Sequence, residues 1–292
     1  MLRSVVCLLL ACIPASAQGR IDCNQLKSHT LQATVHYCVL LPSGYDAPAH
    51  HSSHYPVLYF LHGLGADEQT LFKTGGWNLI EDLRQQHKIG DFLIVTPEAR
   101  ATFYINSADG KSRYSDFFLQ EFVPYIEGKY RIQRDRRTRA VGGISMGGYG
   151  ALRFAFANPE MFSAVSAESA ALMTESPQQL NATMRSGSSL GQILAPVFGN
   201  PINVAHWKEN DPVELARTNK SAIARLAIYF ICGQDDQFNF EAGAKMLDRQ
   251  LQEENIKHEF HLYPGDHGVS FFLGHLGEVM EFHSQSFDQP SR

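Results

Sequence analysis

The chain has 292 residues, 44% of them hydrophobic, 11% aromatic and 19% charged, with 25 Lys and Arg against 30 Asp and Glu for a net charge of −5. That composition excludes a disordered, collagenous or coiled-coil protein, and a chain of about 300 residues can bury roughly three quarters of its unfolded surface as one domain. No basic stripe is present to attract nucleic acid, and no apolar run approaches the roughly 18 residues of a membrane span.

Residues 1–17 read as an export signal. Arg3 supplies the positive start, Val5 to Ile13 the apolar stretch, and Ala15-Ser16-Ala17 a small-residue cleavage site before Gln18. The expected mature chain is therefore secreted or periplasmic, without a transmembrane segment. Cleavage leaves Cys23, Cys38 and Cys232. The first two flank the first strand pair and are free to close a disulfide in an oxidising compartment, a bond the sequence leaves open. Cys232 falls in an apolar strand, where a buried free thiol is the ordinary reading.

Strands then alternate with helices. Thr34 to Leu41 reads as a strand, ended by Pro42-Ser43-Gly44, and Pro56 to His62 as a strand covered on both faces. Asn78 to His87 has helical spacing, Phe92 to Val95 is a buried strand, and Tyr114 to Tyr130 an amphipathic helix that Pro124 is expected to kink. Thr138 to Ile144 is a strand, Met146 to Ala157 a helix and Phe162 to Ser166 a strand. From about 170 to 221 the pattern weakens, and so long a connection implies an inserted cap of short helices. Arg225 to Cys232, Phe240 to Glu253, Glu259 to Tyr263 and Val269 to Phe282 restore strand, helix, strand, helix. The order implies one α/β domain over 18–292, with a mainly parallel central sheet and helices on both faces.

Chemistry concentrates in three turns. Gly143-Ile144-Ser145-Met146-Gly147 lies between a strand and a helix, the context in which Gly-x-Ser-x-Gly projects a nucleophilic hydroxyl. A serine needs a positioned base, and such folds supply acid and base in the order Ser, acid, His. The strand ending at Cys232 runs into Gly233-Gln234-Asp235-Asp236, and the strand ending at Tyr263 into Pro264-Gly265-Asp266-His267. His267 is the expected base. Asp236 is the expected acid, with Asp235 as its alternative, because the acid commonly follows its strand as Gly-x-x-Asp. Asp266 adjoins the base and is badly placed to orient it. His50, His51 and His54 share a polar loop, while His258 and His261 fall on opposite strand faces, so neither set suggests a metal site. The backbone amides of Met146 and Leu64 are the expected oxyanion donors, with His62 an anchor of the loop His62-Gly63-Leu64-Gly65.

Taken together, Leu61 to Gly65, Gly143 to Ala151, Gly233 to Asp236 and Gly265 to His267 resemble the esterase D-type family, which includes S-formylglutathione hydrolases, feruloyl esterases and secreted mycolyltransferases. The resemblance runs from about Tyr37 to Phe272. It implies an α/β-hydrolase fold, Ser145, Asp236 and His267 as a triad, no metal or organic cofactor, and an acyl pocket shaped near Phe103 to Ser107. A secreted serine esterase acting on small-molecule, glycan or lipid esters is the expected function. Acyl transfer to a sugar or lipid hydroxyl, or a catalytically silent binding scaffold, are the alternatives. The oligomeric state is not legible.

Overall fold

The computed structural model describes residues 19–185 and 189–287, so the expected leader lies outside the described residues. Eight strands form one sheet: β1 (Arg20–Ser28), β2 (Ala33–Leu41), β3 (Val57–Leu61), β4 (Leu93–Pro97), β5 (Arg139–Ile144), β6 (Ala164–Glu168), β7 (Ala227–Gly233) and β8 (Glu259–Tyr263). Their spatial order is β1-β2-β4-β3-β5-β6-β7-β8. The pairs β1/β2 and β2/β4 are antiparallel, and every pairing from β4 through β8 is parallel.

Because side chains alternate along a strand, β3 feeds both faces. Val57, Tyr59 and Leu61 join one apolar core with Phe118, Phe122 and Phe154. Leu58 and Phe60 join the other with Ile80, Phe271, Leu276, Val279 and Met280. The second core seats the helix Val269–Phe287, which runs five residues beyond the sequence expectation. A buried polar contact also fastens that helix to the sheet: His283 Nε2 lies 2.8 Å from Ser166 Oγ.

Three local features differ from the sequence reading. The strand β1 is absent from it, because Arg20, Asp22, Asn24, Gln25 and Lys27 break any apolar pattern; it pairs as an outer hairpin arm over its full length. Pro124 does not simply interrupt an α-helix. The chain winds as α over Tyr114–Asp116, as π over Phe117–Phe122 and as α again over Val123–Lys129. Pro124 thus falls in the first turn of the last segment, where a missing N–H removes no bond internal to that segment. The strand β6 reaches Glu168 where the apolar run alone suggested Ser166.

Between β6 and β7 the chain forms five short helices: Pro177–Arg185, Ser189–Phe198, Val204–Asn210, Pro212–Thr218 and Lys220–Ile223. Side chains start two of them. Asn203 Oδ1 accepts from the Ala205 and His206 amides, and Asp211 Oδ1 accepts from Val213 N at 2.9 Å with Pro212 at the first helical position. Polar contacts hold this segment against the helix Met146–Ala157, among them Asn219 Nδ2 donating to Phe156 O at 3.0 Å. Tyr149 Oη donates to Asn210 O at 2.8 Å, and Arg153 Nε donates to Asn210 Oδ1 at 2.9 Å.

Cys23 and Cys38 sit directly opposite one another on β1 and β2 and are joined as a disulfide across 15 positions. Closing a loop of that length in the unfolded chain is worth about 3 kcal/mol in the chain-entropy account. Replacing both cysteines by serine is therefore expected to lower the unfolding free energy by about that amount, read as a lower urea midpoint. An unchanged midpoint would show that the bond constrains nothing the hairpin does not already fix.

Candidate active site

Three turns at the same end of the parallel strands build the site. Ser145 links β5 to the helix Met146–Ala157 with φ 58° and ψ −117°. Such a conformation costs a non-glycine residue about 1–3 kcal/mol and persists only where the surroundings impose it. Here they do. Ser145 N donates to Glu168 O at 2.8 Å, while Ser145 O accepts from Tyr149 N and Ala171 N, both at 3.0 Å. The turn is also sterically exacting, since a Cβ at Gly147 would overlap the carbonyls of Leu61 and His62. The helix therefore starts hard against the end of β3, and the amides of its first turn have no intrahelical partner.

The loop after β3 is held by His62. The Ala99 amide donates to His62 Nε2 at 3.0 Å, which leaves the ring proton on Nδ1, donating to Gly63 O at 2.8 Å. Burial lowers the His62 pKa and keeps that ring neutral despite the Gly63 carbonyl. His62 is thus the loop anchor the sequence suggested. Gly63 then faces the nucleophile turn, where a Cβ would stand 3.4 Å from Ser145 Cβ. Among the described residues nothing accepts a hydrogen bond from the Leu64 amide, next in the chain.

The turns after β7 and β8 meet each other. A side chain at Gly233 would collide with the Gly265 carbonyl, and that closeness lets the two loops interlock. Asp235 N donates to Gly265 O at 3.0 Å, and His267 N donates to Gln237 Oε1 at 3.0 Å. His267 Nδ1 lies 2.7 Å from Asp236 Oδ2. Asp236 Oδ1 takes the Phe238 amide at 2.9 Å. Burial alone would push the Asp236 carboxyl up, but His267, the Phe238 amide and Ser169 outweigh it and hold the acid below its usual value. Asp235 is exposed and Asp266 Oδ1 is occupied by the Gly268 amide, so neither reaches the imidazole. Phe238, Phe240 and Phe272 surround the His267 ring edge-on, at 5.0, 5.4 and 5.3 Å between centroids.

Asp236 and His267 are therefore brought together. Ser145 Oγ forms no hydrogen bond to a described residue, an open state common where the nucleophile–base contact tightens only around substrate. Three further histidines of the later elements have separate partners: His258 with Asp248 at 2.8 Å, His275 stacked on Tyr263, His283 with Ser166. Cys232 is buried as expected, and its thiol, raised by burial to about 12, lies 3.7 Å from Asp236 Oδ2. That contact escapes a sequence reading, although an apolar-strand cysteine four residues before the acid marks where to look.

A second unforeseen feature sits below the nucleophile turn. Glu168, whose carbonyl holds Ser145, is wholly buried, and neither carboxylate oxygen has a partner among the described residues. A small cavity of about 10 Å³, with room for about one water, lies beside the short helices and is reached from the nucleophile motif through Ala171, whose amide donates to Ser145 O. Phe103, Tyr149, Ala171, Leu172, Met173, Phe198, Trp207 and Asp211 line it.

A mainly parallel eight-stranded sheet with a serine on a strained strand–helix turn and an Asp–His pair from two later turns defines an α/β-hydrolase. The family described as "Putative esterase" matches residues 28–281, and the chain belongs to that family. It is 28% identical over 246 residues to an esterase of Mycobacterium tuberculosis strain H37Rv, which covers 78% of this chain and 51% of the relative. The chain thus spans about half the length of the mycobacterial esterases it matches. An acetyl esterase of Caldicellulosiruptor saccharolyticus is 25% identical over 239 residues, 81% of this chain and 86% of the relative. Among solved structures a ferulic acid esterase superimposes with TM-score 0.78 at 26% identity, over 92% of this chain and 99% of the other.

Glu168 yields a prediction with a definite sign. Burial, helped by the charge of Glu278, pushes its carboxyl well above the usual range. The folded state therefore keeps a proton that the unfolded state loses, and stability falls as pH rises past the unfolded value. Glu168→Gln is expected to stabilise the protein more at pH 8 than at pH 5, measured as the difference in Tm from the native chain. A difference that does not grow with pH would mean that Glu168 ionises without cost.

Proposed function

We propose that this chain is a serine esterase that hydrolyses carboxylic esters through Ser145, His267 and Asp236. The observation that carries the reading is the 2.7 Å contact between His267 Nδ1 and Asp236 Oδ2 in loops at the same end of the parallel sheet as the Ser145 turn. With Nδ1 occupied by the acid, Nε2 is the nitrogen left to take the Ser145 proton as the hydroxyl attacks the ester carbonyl. Asp236 keeps that tautomer and stabilises the imidazolium. The amides of Leu64 and Met146 receive the oxyanion, each such donor being worth about 2.7–4 kcal/mol by deletion. Protonated His267 then releases the alcohol, and water, deprotonated by the same ring, frees the acid from Ser145.

The acyl group takes the cavity beside Ser145, with the short helices from 170 to 221 as its cap. Its aromatic walls, Phe103 on Tyr149 at 5.6 Å and Phe198 on Trp207 at 4.6 Å, suit an apolar acyl group. Its volume of about 10 Å³ favours a short one unless the cap opens. The name of the acetyl esterase relative agrees with that preference, whereas a group as large as ferulate requires an opened cap. The disulfide Cys23–Cys38 supports export to an oxidising compartment through the leader at 1–17.

Ser145→Ala is expected to lower kcat/KM for p-nitrophenyl acetate by a factor on the order of 10⁶, or to background. Asp236→Asn should cost about 10⁴ in kcat, the loss expected when the base is held in the wrong tautomer, and Asp235→Asn far less. The reverse ranking of the two aspartates would overturn the assignment of the acid. Across p-nitrophenyl esters from acetate to decanoate, kcat/KM is expected to fall with chain length. A maximum at the long end would show that the cap stands open in solution.

A further inference from the structure

The mouth of the site carries apolar surface that acyl transfer itself does not require. Five large hydrophobic side chains stand exposed among the described residues; Leu64 and Phe238 lie on the loops that bear the Leu64 amide and Asp236, and Val269 opens the helix that follows His267. Phe238 is the most exposed of all at 58%. It is nevertheless firmly held. Its amide is bound by Asp236 Oδ1, its ring meets the His267 imidazole edge-on at 5.0 Å, and it stacks on Phe240 at 5.6 Å. An ordered aromatic ring kept in water against the candidate base marks a surface that a ligand covers.

Position and charge identify the ligand. In the esterase reading, His267 hands its proton to the departing alcohol, so Phe238, packed against that ring, is placed beside the leaving group. The acyl group remains on Ser145, on the side of the cavity. The same two loops expose the carboxylates of Asp235 and Asp266, and neither is ion-paired with a described residue. A leaving group bearing negative charge is therefore repelled, while a neutral one with an apolar face gains by covering Phe238.

We infer that Phe238, packed on His267 and Phe240, is a specificity-determining platform for the alcohol half of the substrate, and that it selects esters of neutral aryl or long alkyl alcohols over those of small or anionic alcohols. This rests on Ser145 and His267 acting as proposed above.

The test uses acetate esters, which share one acyl-enzyme and differ only in the alcohol: methyl acetate, phenyl acetate and 4-acetoxybenzoate. In Phe238→Ala the ratio of kcat/KM for phenyl acetate to that for methyl acetate should fall about tenfold, the scale of an apolar pocket contact. Because the ratio is taken within one variant, general damage to His267 cancels from it. In Asp235→Asn, kcat/KM for 4-acetoxybenzoate relative to phenyl acetate should rise severalfold at low ionic strength, and the gain should shrink in high salt. An unchanged phenyl-to-methyl ratio in Phe238→Ala overturns the platform alone. A native chain that turns over none of these esters and takes no fluorophosphonate on Ser145 overturns the esterase reading, and the platform with it.

Discussion

The backbone of Ser145 is the constraint on which the site depends. Its φ of 58° is imposed from three sides, by the end of β6, by the first turn of its own helix and by the segment leaving β6. The first of these partners, Glu168 O, belongs to the neighbouring strand, so the nucleophile turn exists only while β5 and β6 stay in register. The helix that follows is pressed so closely on β3 that only glycine fits at position 147. The loop carrying Gly63 and Leu64 is brought against the serine by that closeness. Sheet register, helix placement and the position of the candidate oxyanion donors are thus one geometric condition.

Opposite that turn, the geometry is set by two loops that share a backbone. The Asp235 amide on the Gly265 carbonyl and the His267 amide on Gln237 make a single unit of the β7 and β8 turns. The 2.7 Å contact of His267 with Asp236 is then a consequence of loop packing rather than of two independently placed side chains. The aromatic rings around the imidazole exclude water from its flanks, which strengthens that contact.

Much of this was legible in the sequence because its signals are local. Gly143 to Gly147 between strand and helix, His62 at the end of a strand, and His267 before the last helix are each defined within a few residues. The choice of Asp236 over Asp235 was open in the chain, and it is the three-dimensional contact that sets the two apart. What escaped was decided by partners far away in sequence. The outer arm β1 has no apolar periodicity, because one of its faces is solvated and its place comes from pairing with β2. Glu168 was missed because a carboxylate suggests the end of a buried strand, whereas here it continues one. The π-wound turn before Pro124 follows from packing Phe117, Phe118 and Phe122 in one core, which helical spacing alone does not reveal.

The two apolar cores flanking the sheet differ greatly in extent, and the helix Val269–Phe287 belongs to the smaller one. His267 enters the site directly from the start of that helix. The proposed base is thereby coupled to the less extensive cooperative unit of the molecule, and the proposed nucleophile to the larger. Fraying of the last helix would release the imidazole while the β5–β6 centre stayed folded. Loss of function on warming would then precede loss of the sheet, leaving a compact protein with an intact, unassisted serine.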